Sequence, residues 1–298
     1  MANIKDIVKK LDGMKLPEVD FEKYYQSLNE DNLKIRHVTD YLDEIEDYIE
    51  NGHVITGAKL PFNKTHNLFR FRDGEVTLWT GYNGHKKSML LGFAALQFMK
   101  EQQKVCIASF EMKPLSTITR MTKQFTESQH LQENEFADFL DFAGGKFYLF
   151  DQQGGITPER LYGVIHYCAT ELGIKHFIID SLMRVVAGED KYNEQKDFVV
   201  KLCDIAIKTN IHIHLVHHTK KGKESEPSGR YDAKGSGAIS DNVHNSLVVW
   251  SNKDKIPEMP DVILKCDKQR EGEWEGKVAL SFDPITLKFE DVYKEAEF

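Results

Sequence analysis

The stretch from residue 75 to residue 88, EVTLWTGYNGHKKS, constrains this chain more than any other. Its first six residues alternate in polarity as in a β-strand, and Gly81 then begins a short polar loop that ends in a Lys-Ser pair. The mostly apolar run 89–99, MLLGFAALQFM, follows and predicts a helix. A strand, a glycine loop, Lys-Ser and a helix, in that order, are typical of a phosphate-binding loop.

Each part of this loop has a chemical task. Loop N–H groups and the helix N-terminus would face the phosphates, Lys87 would neutralise the β and γ oxygens, and the Ser88 hydroxyl would reach Mg²⁺. The candidate nucleotide-binding residues are Gly81, Tyr82, Asn83, Gly84, His85, Lys86, Lys87 and Ser88. One position departs from the pattern G-x-x-x-x-G-K-[ST], because Lys86 replaces its second glycine. From this motif alone, a polar turn before a buried helix remains an alternative.

Bulk composition limits the classes of protein. A chain of 298 residues can form one large α/β domain with a small appendage. The net charge of −8 provides no general attraction for nucleic acid, so such a partner would need a local basic patch. The four cysteines form no CxxC pair and predict reduced thiols of a cytosolic protein. No signal-peptide core or membrane-spanning stretch is evident, so we expect a soluble, cytoplasmic protein without a membrane partner.

The first 60 residues are acidic and helical in pattern. Apolar residues recur there at helical spacing, at Val38, Tyr41, Leu42, Ile45, Tyr48 and Ile49. This stripe either packs on its own domain or forms an arm that docks on a neighbouring subunit. Residues 59–73 contain Pro61 and little periodicity, and are expected to be a linker. The predicted units are therefore a helical N-terminal segment, 1–60, and a main domain, 61–298.

Two predicted strands lead directly into acidic residues. The run 104–110 is expected to lie beside the first strand, and Glu111 follows it, where a carboxylate can activate a water molecule. The apolar run 174–180, IKHFIID, ends in Asp180, which would complete a Mg²⁺ site beside Ser88. Further strands are predicted at 146–150, 211–216, 246–250, 262–266, 276–282 and 287–291.

Histidines crowd the strand at 211–216 and its exit: His212, His214, His217 and His218. They could suggest zinc, but they have no matching set of cysteines or carboxylates, which disfavours a zinc site. His218, where the strand ends, can instead reach a γ-phosphate.

The segment after this strand is basic in an otherwise acidic chain. The candidate DNA-binding residues are Lys220, Lys221, Lys223, Arg230, Lys234, Gly235, Ser236 and Gly237. A solvated loop is one interpretation. The other is a loop that grips single-stranded nucleic acid, because glycine lets phosphates approach main-chain N–H groups.

Four motifs together resemble the ring-shaped replicative DNA helicases, the DnaB-like and phage primase–helicase family, over about residues 74–291. They are SFEM at 109–112 with Arg120-Met121, IIDSL at 178–182, DAKGSGAISDN at 232–242, and Lys268-Gln269-Arg270. The resemblance implies an α/β fold, namely a RecA-like P-loop ATPase core with a mostly parallel central sheet and a small helical N-terminal segment. It also implies ATP and Mg²⁺ as ligands.

The same resemblance implies roles for individual residues. Glu111 would be the catalytic carboxylate, with Lys87, Ser88 and Asp180 as the nucleotide–Mg²⁺ set. His218 would sense the γ-phosphate, and Phe282 would stack on the adenine. Lys268 and Arg270 would reach the ATP of the neighbouring subunit, with Arg270 as an arginine finger. The segment 219–240 would be the DNA loop of a central channel.

The function expected on this basis is a phage-type, hexameric replicative helicase that translocates 5′→3′ on single-stranded DNA. Its first 60 residues are too short for a primase, so either the primase is a separate protein or this chain never recruits one. A separate primase, polymerase or loader is a candidate partner. A RecA/RadA-like recombination ATPase is one alternative. The unusual Lys86 suggests another, a nucleotide-dependent DNA-binding or helicase-loader protein with weak hydrolysis. The presence of Glu111, Asp180 and Arg270 argues against that second alternative.

Overall fold

The computed structural model describes residues 17–28, 37–51, 56–152, 154–188, 191–219 and 237–292, together with Ile4, Ile7 and Lys9. The helices are α1 Phe21–Leu28, α2 Leu42–Asn51, α3 Lys87–Lys100, α4 Pro114–Thr126, α5 Glu133–Ala143, α6 Pro158–Thr170, α7 Tyr192–Thr209 and α8 Gly237–Asn242. The strands are β1 Val76–Thr80, β2 Val105–Ser109, β3 Phe147–Leu149, β4 His176–Asp180, β5 His212–Val216, β6 Asn245–Ser251, β7 Val262–Gln269, β8 Gly276–Phe282 and β9 Phe289–Asp291.

These strands form one sheet in the order β3-β2-β4-β5-β1-β6-β7-β8-β9. The six strands from β3 to β6 are parallel, and β7, β8 and β9 continue the sheet in antiparallel pairs. The expectation that β2 lies beside β1 is wrong, because β4 and β5 lie between them. Every residue of β4 and β5 is buried, and strands covered on both faces take the centre of a parallel sheet.

Apolar side chains pack on both faces of the sheet. On one face, the expected linker proves to be part of the core, since Leu60, Phe62, Phe69 and Phe71 are at most 1% exposed. The Phe71 ring lies 5.2 Å from that of Phe98 on α3. Buried aromatic rings remove large apolar areas from water, so this irregular segment stabilises the domain without regular periodicity.

The two N-terminal helices differ in their contacts. Helix α1 packs on α6, where the Tyr24 and Tyr167 rings are 5.1 Å apart. A Cβ at Gly163 would lie 2.1 Å from the Phe21 carbonyl oxygen, so glycine permits this close approach. By contrast, the stripe that includes α2 is exposed, from 40% at Ile45 to 74% at Ile49. It therefore does not pack on the described part of its own domain.

Buried histidines form a directed hydrogen-bond chain inside the core. Trp79 Nε1 donates to Nδ1 of His214 over 3.2 Å, which leaves the His214 proton on Nε2. That nitrogen lies 3.1 Å from Nδ1 of His176 and donates to it. Burial lowers the pKa of both histidines well below its usual value, so both rings are neutral. Within the described ranges, no group of three or more His, Cys, Asp or Glu is placed to hold a metal ion.

Among the residues for which the structure gives a conformation, no helix is long and apolar enough to cross a lipid bilayer.

Candidate nucleotide site

An open cleft of about 480 Å³ lies where β1, β4 and β5 end at their carboxyl edge. It is lined by Asn83, Gly84, His85, Lys86, Lys87, Ser88, Met89, Glu111, Met112, Arg120, Asp180 and His218. Ligand sites of parallel α/β sheets lie at this edge, because each strand delivers its following loop there. The structure thus brings together predicted residues from four separate segments of the chain.

Lys87 begins helix α3, whose N-terminal N–H groups point to the cleft and favour an anion. Its Nζ donates to the carbonyl oxygens of Gly81 (2.7 Å) and Tyr82 (2.8 Å). Burial lowers the pKa of Lys87 to about 8, against the opposing attraction of Asp180. A phosphate chain would offer this ammonium stronger acceptors than two carbonyl groups.

Several loop residues predicted to bind nucleotide have side chains that anchor the loop to the rest of the protein. The Tyr82 side chain is buried with Trp250 and Ile263. His85 is 1% exposed, and its Nδ1 accepts the backbone N–H of Ser251 over 3.0 Å. These two side chains therefore point into the protein, and the backbone of the loop faces the cleft.

Gly81 is required at the start of the loop. Its φ is +147°, and a Cβ at this position would lie 2.2 Å from the carbonyl oxygen of Val249. The Gly81 carbonyl also accepts the backbone N–H of Thr219 over 3.2 Å. This bond fixes the exit of β5 beside the loop and places the half-buried His218 on the rim of the cleft.

Lys86 has the left-handed backbone conformation that the missing glycine would adopt, with φ 65° and ψ 17°. For a residue with a Cβ this conformation costs about 1–2 kcal/mol. The side chain crosses to the neighbouring strands. Its Nζ donates to Ser251 Oγ over 3.0 Å and lies 4.7 Å above the centre of the Phe282 ring. Burial lowers the pKa of Lys86, and the nearby Lys253 lowers it further.

Asp180 and Ser88 meet at the base of the cleft. The Asp180 carboxylate is 8% exposed, and burial raises its pKa while a hydrogen bond from Ser88 opposes the rise. A carboxylate and a hydroxyl beside a phosphate site are the oxygen ligands that Mg²⁺ uses together with phosphate oxygens and water. This pair fits a magnesium ion.

Glu111 follows β2 and lines the cleft close to Asp180. It raises the pKa of Asp180 through like-charge repulsion. Its Oε1 accepts hydrogen bonds from Arg184 Nε over 3.2 Å and from Ser181 Oγ over 3.4 Å. Arg184 and Ser181 thus orient the carboxylate.

Arg120 is a cleft residue that received no role in the sequence analysis. It lies on α4, is half-buried and lines the cleft. Burial lowers the pKa of its guanidinium, and the Asp180 carboxylate opposes that effect. The sequence signal for Arg120 was its place in the motif that follows Glu111. Helix α4 brings this position back towards the phosphate loop.

Lys268 and Arg270 do not line the cleft. Lys268 Nζ donates to the carbonyl oxygens of Ser240 (3.0 Å) and Asp241 (2.7 Å) on α8. The exposed Arg270 follows β7, and its N–H donates to the His244 carbonyl just before β6 begins. Because β6 runs parallel to β1, Arg270 lies at the amino ends of these strands, whereas the phosphate loop lies at their carboxyl ends. The five residues of β1 separate the two by about 15 Å.

The remaining predicted residues lie around or beyond the cleft. Phe282 is half-buried on Phe289, with ring centres 5.0 Å apart, and its ring lies beneath the Lys86 ammonium of the loop. Of the DNA-binding candidates, Lys220, Lys221, Lys223, Arg230, Lys234, Gly235 and Ser236 lie outside the described residues. Gly237 begins α8.

The family model of the AAA domain matches residues 67–224, more than half of the chain. The chain belongs to the AAA domain family. The matched part of this AAA domain protein contains every residue that lines the cleft, from Asn83 to His218.

Two solved structures resemble this AAA domain protein over most of its length. One solved ATPase domain matches with a TM-score of 0.76 at 15% identity, over 87% of this chain and 100% of that one. A DnaB-like replicative helicase, solved to describe its interactions with primase, matches with a TM-score of 0.72 at 15% identity, over 97% of this chain and 74% of that one. These likenesses confirm the predicted RecA-like α/β fold and, at the level of the fold, the resemblance to DnaB-like helicases. An AAA domain with a RecA-like fold implies nucleotide binding, usually with Mg²⁺.

Proposed function

We propose that this chain is an ATP-driven replicative DNA helicase of a phage type, which moves 5′→3′ on single-stranded DNA as a hexameric ring. The observation that carries the proposal is a divided site. One cleft contains Lys87, Ser88, Glu111 and Asp180, at the carboxyl ends of the parallel strands, whereas Arg270 lies at the amino ends of those strands. A hydrolysis site that includes Arg270 would therefore need two subunits. The direction of movement and the number of subunits follow the helicase resemblance.

Within one subunit, the proposed chemistry assigns a task to each cleft residue. Lys87 binds the β and γ oxygens, Ser88 and Asp180 hold Mg²⁺, and His218 contacts the γ-phosphate from the rim. Mg²⁺, when bound, neutralises charge on the phosphates. Glu111 orients and polarises the attacking water, for which Arg184 and Ser181 already hold its carboxylate at the cleft.

The N-terminal segment supports assembly, and we propose that its stripe docks on a second copy of this chain. The exposed apolar residues of α2 are surrounded by Asp43, Glu44, Glu46, Asp47 and Glu50. Helix α7 offers a matching exposed row at Tyr192, Val200 and Ile207, with Lys196 and Lys201 on the same helix. The two surfaces differ in position, and the lysines of α7, which stand beside Glu194, Asp197 and Asp204, are the part of that helix that complements the acidic α2. Such a heterologous contact generates rings or filaments rather than simple dimers.

The proposed DNA loop is held at both ends by residues linked to the nucleotide site. Before it, the Thr219 N–H binds the Gly81 carbonyl of the phosphate loop. After it, α8 is bound by Lys268 from β7, the strand that leads to Arg270. Changes at either half of the composite site would therefore reach the basic segment, which is how ATP turnover would move it along DNA.

The single test of this function is steady-state ATP hydrolysis with and without single-stranded DNA, followed by unwinding of forked duplexes. We expect DNA-stimulated hydrolysis by an oligomer, and unwinding that requires a 5′ tail. Stimulation without unwinding would favour the recombination ATPase. Nucleotide and DNA binding with negligible turnover would favour a loader.

A separate primase, polymerase or loader is proposed as partner.

A further inference from the structure

The carboxyl end of β6 and the turn after it contact the phosphate loop at residues 249, 251 and 253. The Val249 carbonyl lies against Gly81, Ser251 contacts His85 and Lys86, and Lys253 Nζ donates to the Asn83 carbonyl over 2.7 Å. Val249 and Ser251 belong to β6 and Lys253 lies in the turn that follows it, and contacts from all three hold the loop.

Ser251 is the central contact among these, because it holds two consecutive loop residues. Its N–H donates to His85 Nδ1 over 3.0 Å, and its Oγ accepts from Lys86 Nζ over 3.0 Å. The first bond uses the backbone and is independent of the serine side chain. The second depends on both the serine hydroxyl and the lysine ammonium.

The Lys86 ammonium has a defined environment. The Phe282 ring lies below it, the Asp261 carboxylate attracts it, and Lys253 repels it. If the Ser251 hydroxyl were removed, this half-buried ammonium would lose its hydrogen-bond acceptor. It would then swing towards other acceptors, and its strained backbone would carry the phosphate loop with it.

We propose that Ser251 is a positioning residue for the nucleotide, which acts by tethering Lys86 so that the loop keeps the shape that glycine would otherwise provide. The inference rests on the proposed ATP-binding function and deepens it. In this arrangement Lys86 is a structural tether of the loop and not an additional phosphate ligand. A loop with glycine at position 86 needs no tether, so the effect of Ser251 must depend on the residue at position 86.

The test is a double-mutant cycle with Ser251→Ala, Lys86→Gly and the combined variant. The full chain is titrated with the Mg²⁺ complex of a non-hydrolysable β,γ-imido analogue of ATP. We expect Ser251→Ala to raise the Kd about tenfold or more when Lys86 is present, the loss of one hydrogen bond to a charged group. In the Lys86→Gly background the same change should alter the Kd less than about twofold. Ser251→Thr, which keeps the hydroxyl, should bind as wild type.

Two controls separate positioning from folding. Ser128→Ala removes a hydroxyl that donates to the His130 carbonyl outside the cleft, and should leave the Kd unchanged. The Tm without nucleotide is measured for every variant. A merely structural Ser251 would lower the Tm and weaken binding equally in both backgrounds, and that result overturns the inference. An unchanged Kd in Ser251→Ala also overturns it. A wild-type chain that binds no analogue overturns the proposed function and this inference together.

Discussion

Arg184 donates from Nε to Oε1 of Glu111 over 3.2 Å, across 73 residues of sequence. Both side chains are partly exposed, 49% for Arg184 and 39% for Glu111, so the pair is worth little for stability. Its consequence is geometric. It orients at the cleft the carboxylate that we propose to polarise water.

Changing Glu111 to Gln should separate binding from hydrolysis. The amide keeps the size of the side chain but cannot polarise water as a carboxylate does, so we expect turnover to fall about 10²- to 10⁴-fold. The Kd for ATP, measured by titration, should stay within a few-fold of wild type. Glu127→Gln, at an exposed glutamate after α4, is the matched control and should be fully active. Near-normal turnover in Glu111→Gln would remove Glu111 from its proposed role.

Changing Arg184 to Ala should lower kcat more than it raises KM. Without the guanidinium, the Glu111 carboxylate loses its stronger orienting partner, and we expect kcat to fall about tenfold at nearly constant KM. Arg160→Ala, at an exposed arginine of α6, controls for the loss of a surface charge. Equal changes in kcat for the two variants would show that the contact with Glu111 has no catalytic consequence.

Nucleotide binding should take up protons above neutral pH. The pKa of Lys87 is lowered to about 8 in the free chain, from an ordinary value of 10.5, and bound phosphates would raise it again. The ammonium is therefore already formed below pH 8, whereas above it binding must add the proton. Calorimetric titrations of ATP in buffers of different ionisation enthalpy should show about half a proton taken up at pH 8 and little at pH 6.5. Equal uptake at both pH values would contradict this assignment.

Mixing two inactive variants should restore activity if the site is shared between subunits. Arg270→Ala should lose about 10³- to 10⁵-fold in turnover, the usual effect of removing an arginine finger. Mixed with Glu111→Gln, it should regain ATPase activity at interfaces that pair an intact Glu111 with an intact Arg270.

A mixture of Glu111→Gln with Lys87→Ala is the control for that experiment. Both residues lie in the same cleft of one subunit, so no interface in this mixture can have an intact Glu111 together with an intact Lys87. Activity should therefore stay low. Full activity of Arg270→Ala as a monomer would disprove the ring proposal.

Replacing Lys220, Lys221 and Lys223 with Ala should weaken binding of single-stranded DNA. Each lost phosphate contact should reduce the salt dependence of log K by about 0.7. The Kd for ATP without DNA is the internal control and should not change. An unaltered salt slope would mean that DNA follows another path.

The sequence by itself determined the elements whose signals are local. The strand, glycine loop, Lys-Ser pair and helix at 75–99 appear as β1, the loop and α3, and the predicted strands ending at Asp180 and Val216 appear as β4 and β5. Polarity alternation, apolar runs and turn residues act over a few positions, so they can be read without tertiary contacts. The assigned roles of the site residues, and the domain boundary near residue 60, stay predictions.

Only the tertiary structure decided the properties that depend on residues far apart in the chain. It placed β4 and β5 between β2 and β1, buried the apparent linker with Phe71 against Phe98, and left the stripe of α2 exposed. It also placed the Lys86 ammonium on Ser251, 165 residues later. The physical reason is the same in each case. Burial and hydrogen bonding are settled by which segments become neighbours, and a linear pattern records the tendency of a residue but not its partner.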